Sequence, residues 1–446
     1  MSSNTVVGGG IAGLAAAWEL RKAFPDEPVV VLEESERLGG KIRTTDFAGR
    51  PVDEGADAFL ARVPFAAALA REIGLGDELV SPATGQASLW IGDELKPIPG
   101  GHVLGVPTDL DLVAKSGILS DEGLARAREE VDLPGEPLGA DDDISIGDLV
   151  TRRYGREVHD LLVDPLLGGI NAGRSDELSA EVGAAQIVAA ARRDASLTRA
   201  LLAMRGENPP DPTAPVFWAP AGGMQRFVDA LAGALADRGV EIRTGVTVTS
   251  LGDVESARVV VATPAFAAAT LVRPLSEDAA DVIADVDYAS VVLTTLAYRR
   301  SDLAQPLTGS GFLVPRTQGR FLTAGSVFSN KWPALDDPEL VIIRASAGRA
   351  GDDAAVHLDD GELVERVHAE LREALDLRGE PVEVRISRWH RAFPQFRPGH
   401  LARVRAAADA LAEAAPHVAL AGAWVKGVGI PTCISSAQDA VARLAG

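Results

Sequence analysis

Six residues early in the chain, Gly8-Gly9-Gly10-Ile11-Ala12-Gly13, constrain what it can fold into more than any other stretch. The apolar run Thr5–Val7 precedes them and reads as a short buried strand. Leu14–Phe24, rich in Ala and Leu, follows and reads as a helix. Pro28 then introduces Val29–Leu32, an unbroken apolar run of the kind carried by parallel strands buried on both faces. Within this βαβ unit the glycine spacing has a physical reading. The first glycine permits a tight turn, the second lets a pyrophosphate approach the backbone, and the third lets helix and strand pack closely. The helix N-terminus then turns free N–H groups and a positive dipole end toward the phosphates. Glu33 ends the second strand 20 residues beyond Gly13, where a carboxylate accepts hydrogen bonds from ribose hydroxyls. A bound dinucleotide is expected, held by Gly8, Gly9, Gly10, Ile11, Ala12, Gly13, Glu33 and the adjacent Glu34.

Composition narrows the rest. A chain of 446 residues is too long for one ordinary core, so two or three domains are expected. The formal net charge of −21 argues against nucleic acid, whose phosphates want a cationic surface. Cys433 is the only cysteine, which excludes internal disulfides and cysteine-based metal sites. The histidines show no metal-ligand spacing, and no metal is expected. Four glycines cut the apolar run Val6–Ala17, so it does not read as a signal peptide. No apolar run approaches the length of about 18 residues that a transmembrane helix needs.

Further along, Ala87–Ile91, a turn at Gly92-Asp93 and Leu95 read as extended. Helical stretches such as Ser145–Leu162 and Glu181–Met204 dominate residues 99–214, interrupted by the acidic loop Pro134–Asp143. Asn208–Pro215 reads as a linker. A helix over Met224–Arg238 and strands leading into Arg258–Pro264 resemble the opening unit. Strands are expected at Val291–Tyr298, Gly311–Val314, Leu340–Ala345 and Val382–Ser387, with a helix over His357–Asp376 among them. Val418–Gly422 reads as a strand and Ile434–Leu444 as a final helix.

Beyond Glu33, Arg37-Leu38-Gly39-Gly40-Lys41-Ile42-Arg43-Thr44 resembles the R-x-G-G-[RK]-x-x-[ST] segment of the FAD-dependent amine oxidase and protoporphyrinogen oxidase superfamily. Adjacent glycines let a loop lie against the cofactor, and Arg37 and Lys41 supply cations. By the same resemblance, Gly55, Ala56, Asp57 and Ala58 run along the flavin ring, and Gly245–Val248 is a strand in which Val248 pairs with the adenine edge. Gly422-Ala423 and Gly427–Pro431 form the C-terminal flavin segment, where Val428, Gly429 and Ile430 open a helix toward the flavin. That helix end stabilises negative charge on the reduced ring.

A narrower resemblance reaches the protoporphyrinogen and coproporphyrinogen III oxidases of haem biosynthesis. It rests on Gly55–Arg62 (G-P-D-S-F-L-A-R in that family), Asp164–Gly173 (E-P-L-x-x-G-V-x-A-G), Trp218–Met224, Trp389–His400 and Gly427–Ile434 (G-V-G-[IL]-P-D-C-I). Ala56, Ala58, Thr432 and Ser436 depart from that pattern, and the 130–143 loop has no counterpart in it.

The resemblance implies an α/β fold. A Rossmann-type FAD-binding domain assembles from residues 1–85, 215–267 and 388–446. A β-rich substrate domain takes 86–98 and 268–387, and a helical insert domain takes 99–214. It implies non-covalent FAD and oxidation of coproporphyrinogen III to coproporphyrin III, by hydride transfer to flavin N5 with oxygen as acceptor and hydrogen peroxide as by-product. Trp389 would sit near the flavin, and the Gly169 backbone would orient the macrocycle. No catalytic side chain is needed when positioning supplies most of the rate. Arg62 and Arg174 are candidates for the substrate carboxylates. A cytoplasmic enzyme, soluble or peripheral to the membrane, monomeric or dimeric, and handing product to a ferrochelatase, fits this reading. Protoporphyrinogen IX oxidation stays open beside it, as do, more distantly, a flavin amine oxidase, a carotenoid-desaturase-like enzyme and a non-enzymatic flavin scaffold.

Overall fold

In the computed structural model, which describes residues 3–207, 211 and 214–446, the valine-rich runs of the sequence meet in one parallel sheet. β1 (Asn4–Val7), α1 (Ile11–Ala23) and β2 (Val29–Leu32) form the expected βαβ unit. β1 pairs with β2 on one side and with Arg258–Val261 on the other. Glu241–Arg243 extends the sheet beyond β2, and Val418–Leu420 extends it beyond Arg258–Val261, all parallel. Val6, Val31, Val260 and Val261 are fully buried in it, and each such side chain stabilises by about 1.5–3 kcal/mol relative to exposure. α1 packs against the helices Gln225–Asp237 and Ile430–Ala445. Arg21 and Lys22 in its last turn complement the negative end of the helix dipole. Pro25, without an N–H, stands just beyond the cap residue Phe24.

This sheet belongs to a unit made of Met1–Ser81, Pro215–Asp287 and His400–Gly446. The strand expected over Gly245–Val248 is not one. The strand stops at Arg243, and Gly245 turns the chain with φ +69°. The N–H groups of Gly245 and Val246 donate to the carbonyls of Ser35 (3.0 Å) and Glu33 (2.9 Å), so the segment is pinned to the end of β2 and does not join a ladder.

The second unit comprises Pro82–Ala214 and Tyr288–Gly399. Its seven-stranded sheet runs Glu383–Pro394, Tyr288–Arg299, Leu340–Ala347, Leu322–Val327, Gly311–Leu313, Ala87–Ile91, Glu94–Pro97. Neighbours are antiparallel except Gly311–Leu313 with Ala87–Ile91, which are parallel. The helix Asp360–Leu375 packs on this sheet through Leu363, Val367, Leu371 and Leu375, four residues apart on one face. The Asp359 carboxylate caps it, accepting from the Glu362 N–H.

The same unit holds a helical core around Val150, Tyr154, Val158 and Leu162. Two long helices expected there are broken. Ser145–Leu162 divides at Gly155, whose φ of +91° no helix contains, into Ile146–Tyr154, a turn at Arg156–Val158 and a π-helix over His159–Gly168. Glu181–Met204 divides into Ala180–Gly183, Ala185–Ala191 and Leu197–Glu207. Buried Glu130 accepts from the backbone N–H groups of Leu197 (2.8 Å) and Thr198 (3.3 Å), which closes the start of the last piece. The linker read at Asn208–Pro215 falls mostly outside the described residues.

Candidate active site

The glycine turn shows what the fold asks of its first and last glycines. A Cβ on Gly13 would lie 1.8 Å from the Gly8 carbonyl oxygen, so this position sets the approach of α1 to β1. Gly8 has φ +110°, and a Cβ there would meet the Ala262 oxygen at 2.8 Å. Gly10 differs: a Cβ would meet nothing within 4 Å. It stands in extended conformation at the N-terminus of α1, which no side chain caps. Open space in front of uncapped, outward-pointing N–H groups fits a pyrophosphate. Glu33 Oε2 accepts from the Gly9 N–H at 2.6 Å, and Oε1 from Ser35, which fixes the carboxylate at the end of β2. Glu34 beside it is exposed.

Gly39 and Gly40 lie against this turn, with the Gly39 N–H donating to the Gly9 carbonyl at 2.9 Å. Arg37 spends its guanidinium on the carbonyls of Leu38, Gly40 and Ile42, and so closes the loop on itself. The Lys41 side chain is reached by solvent, but protein walls surround its amine. That desolvation pulls its pKa down, and the nearby Cys433 works against the shift. Cys433 is buried in the last helix, and burial pushes its thiol up to about 12.

Asp53 and Glu54, both buried, hold the start of the Gly55–Ala58 segment. Asp53 accepts from the Met224 N–H at 2.9 Å, and Glu54 accepts from Thr45 at 2.7 Å. At the other end of the chain, Gly422 adopts φ +129° and its N–H donates to Ser436 Oγ at 2.9 Å, while Ser436 donates to the Cys433 carbonyl. The departure at Ser436 thus supplies a partner for a buried backbone N–H. Ala423 opens the short helix Ala423–Lys426. Val428 and Gly429 lead into Ile430–Ala445, whose N-terminus also lacks a side-chain cap and carries Pro431 in its first turn. At the starts of α1 and of Ile430–Ala445 the first unit therefore presents uncapped helix ends on glycine turns, which fits an FAD held by its pyrophosphate and its flavin edge.

In the second unit, Gly169 follows the π-helix, which contains Pro165. Pro lacks the N–H of a regular helix, and π-segments recur at functional positions. The nearest atom to a Cβ on Gly169 would be Leu313 Cδ2 at 4.0 Å, so this backbone faces open space. The loop after it is fastened by three consecutive carbonyls. Asn171 accepts from Gln395 Nε2 (3.0 Å), Ala172 from the Ala350 N–H (2.7 Å) and Gly173 from Arg316 Nη2 (3.0 Å). Trp389 lies on Glu383–Pro394 and packs, partly buried, against the cluster of Ala172, Ala289 and Val291. Val248 and Arg62 fall in the first unit, Gly169, Arg174 and Trp389 in the second. Arg174 is exposed and pairs with Glu177 at 3.2 Å.

The partners of two further groups had no sequence signal. The acidic 134–143 loop ends in Asp143, whose carboxylate accepts from Ser179 Oγ, the Glu181 N–H and the Gly399 N–H. Arg316 and Arg349 lie near Arg174 but come from unrelated strands. Among the described residues, no group of three or more His, Cys, Asp or Glu is placed to hold a metal ion. No described helix is long and apolar enough to cross a membrane.

Against known proteins, residues 11–445 match the family of flavin-containing amine oxidoreductases. A protein named coproporphyrinogen III oxidase from Mycobacterium bovis is 33% identical over 98% of this chain and 96% of its own length. One of the same name from Bacillus subtilis is 31% identical, with the same shares of both chains. A crystal structure from Exiguobacterium sp. 255-15, provisionally named protoporphyrinogen oxidase, superposes with a TM-score of 0.88 at 30% identity, covering 100% of this chain and 98% of that one.

Proposed function

The chain belongs to the flavin-containing amine oxidoreductase family and, within it, to the porphyrinogen oxidases; from that premise we propose that it oxidises coproporphyrinogen III to coproporphyrin III. Full-length similarity to two proteins of that activity's name is the observation that carries this reading. FAD is the cofactor, and when bound it supplies a two-electron acceptor that oxygen can regenerate.

The chain's own residues bind and orient. The Gly8–Gly13 turn and the N-terminus of α1 hold the pyrophosphate, and Glu33 holds the ribose. The Gly55–Ala58 segment lines the flavin, and Val248 meets the adenine. The N-terminus of Ile430–Ala445 stabilises negative charge that builds on the ring during reduction. The fastened Gly169–Gly173 loop offers bare backbone to the flat face of a macrocycle. A porphyrinogen's bridging C–H bonds are weak because their loss leads to aromaticity, so positioning replaces acid–base catalysis. Three successive steps each remove two hydrogens, and each is balanced by reduction of one oxygen molecule to hydrogen peroxide.

The test is fluorescence-detected oxidation of coproporphyrinogen III and protoporphyrinogen IX side by side under low oxygen, corrected for spontaneous oxidation. A higher kcat/KM for coproporphyrinogen III is expected, with hydrogen peroxide formed in step. Faster turnover of protoporphyrinogen IX would reverse the substrate assignment.

A further inference from the structure

Three arginines from separate segments of the second unit converge on the Gly169–Gly173 loop. Arg174 ends the loop, Arg316 follows the strand Gly311–Leu313, and Arg349 follows Leu340–Ala347. The backbone fixes two of them there. Arg316 Nη2 donates to the Gly173 carbonyl at 3.0 Å, and the Ala350 N–H, next to Arg349, donates to Ala172 at 2.7 Å. Such crowding of cations is unfavourable. Burial and then repulsion by Arg349 lower the pKa of Arg316, and burial lowers that of Arg349 against the pull of Asp352 and Asp164.

The carboxylates nearby do not satisfy this charge. Glu177 takes Arg174 at 3.2 Å. Asp164 Oδ2 stands 3.9 Å from Arg316 Nε, too far for a hydrogen bond, and Asp164 Oδ1 is taken up by the Ser175 N–H and hydroxyl. Arg349 is the exception among them. Its guanidinium makes no hydrogen bond or ion pair with the described residues, and its Nε is buried without a partner. A buried donor left unmade is costly, and a guanidinium recovers most when a carboxylate meets it in a fork.

We propose that Arg349, with Arg316 beside it, is a receptor for one carboxylate of the substrate. Arg349 contacts the carboxylate, while Arg316 adds charge and holds the loop through Gly173. The inference rests on the porphyrinogen reading for its ligand, a propionate of the macrocycle. It deepens that reading by naming where one acid group goes, on a protein whose net charge of −21 opposes anion capture at long range.

The test titrates the FAD-loaded protein with coproporphyrin III and with its tetramethyl ester, followed by fluorescence, beside steady-state kinetics on coproporphyrinogen III. Arg349→Gln is expected to weaken coproporphyrin III binding about tenfold or more, the loss of one charge-assisted contact. The kinetic loss falls on KM more than on kcat. The ester, which lacks the charge, binds wild type and variant alike. Arg349→Lys keeps a charge but loses the fork and shows a smaller loss, which also serves if Arg349→Gln fails to fold. Arg366→Gln, at an exposed residue of Asp360–Leu375 paired with Glu362, controls for net charge. Equal affinity of wild type, Arg349→Gln and Arg349→Lys for coproporphyrin III overturns the receptor. Wild type that binds coproporphyrin III through Arg349 but oxidises no porphyrinogen leaves the receptor standing and removes the proposed activity. Wild type that binds no porphyrin removes both.

Discussion

Gly10→Val separates the cofactor's need from the fold's. The native backbone at Gly10, φ −72° and ψ 175°, is one that valine adopts readily, and its Cβ would meet no protein atom within 4 Å. The only structural loss is at the helix N-cap, where replacing a glycine by an apolar residue costs about 1 kcal/mol. The space that the side chain fills is the space assigned to the pyrophosphate, so FAD binding should be lost. Ligand linkage sets the size of the effect. Wild type saturated at about 100 times Kd gains about 2.7 kcal/mol from its ligand, and Gly10→Val should gain nothing. Gly13→Ala is the contrasting variant. Its Cβ would sit 1.8 Å from a backbone oxygen, so α1 must move and the protein should lose stability whether FAD is present or not. The assay is thermal unfolding of both variants with and without added FAD, together with the flavin absorbance of the purified proteins. Gly10→Val protein that purifies yellow, at full flavin occupancy, would refute the assignment of this turn as the cradle.

Three other outcomes are expected. Glu130→Ala removes a buried carboxylate that meets Arg153 at 3.2 Å and closes the start of Leu197–Glu207; a loss of about 3–5 kcal/mol in urea unfolding is expected, and a midpoint equal to wild type would show the pair idle. Ser436→Ala leaves the Gly422 N–H without its partner and should cost about 1–3 kcal/mol in the same measurement, with Ser436→Thr recovering part of it. Cys433 should react with a thiol reagent only after denaturation; because its folded pKa is raised to about 12 from 9.0, the stability it contributes is complete below about pH 9 and is lost as pH rises through 12. Rapid labelling of the folded protein at neutral pH would contradict its burial.

What could be read in advance was whatever the backbone demanded of single residues. Gly13 has to be glycine because of one oxygen atom on Gly8, and such a demand leaves a mark in the sequence. The valine runs of β1, β2 and Arg258–Val261 are similarly local, since each strand must be apolar on both faces to lie inside a parallel sheet. The resemblance makes Gly245–Val248 a strand, but a matching segment does not say which partners its N–H groups find. Where the N–H groups go, here to Glu33 and Ser35, is settled by tertiary contacts. The long helix expected over Ser145–Leu162 had the right apolar spacing but is interrupted at Gly155, and the π-helix that follows, with Pro165 inside it, ends one residue before Gly169, whose backbone faces open space.

The charged residues were legible in inverse proportion to how far their partners lie along the chain. Glu33 could be placed because it binds Gly9 and Ser35, both close in sequence to a strand end. Asp143 could not, since the Gly399 N–H that it accepts from is supplied by a residue far along the chain. The arginine cluster is the extreme case. Arg174 drew attention because it follows a recognisable glycine loop, and the structure gives it an ordinary partner in Glu177. Arg349 follows no motif, yet within the cluster its guanidinium is the one with no partner among the described residues. Unsatisfied charge is a property of a place where segments meet, and no window of sequence contains that place. The residues that a sequence most readily offers for anion binding are those with local context, and local context is also what tends to supply a carboxylate that neutralises them.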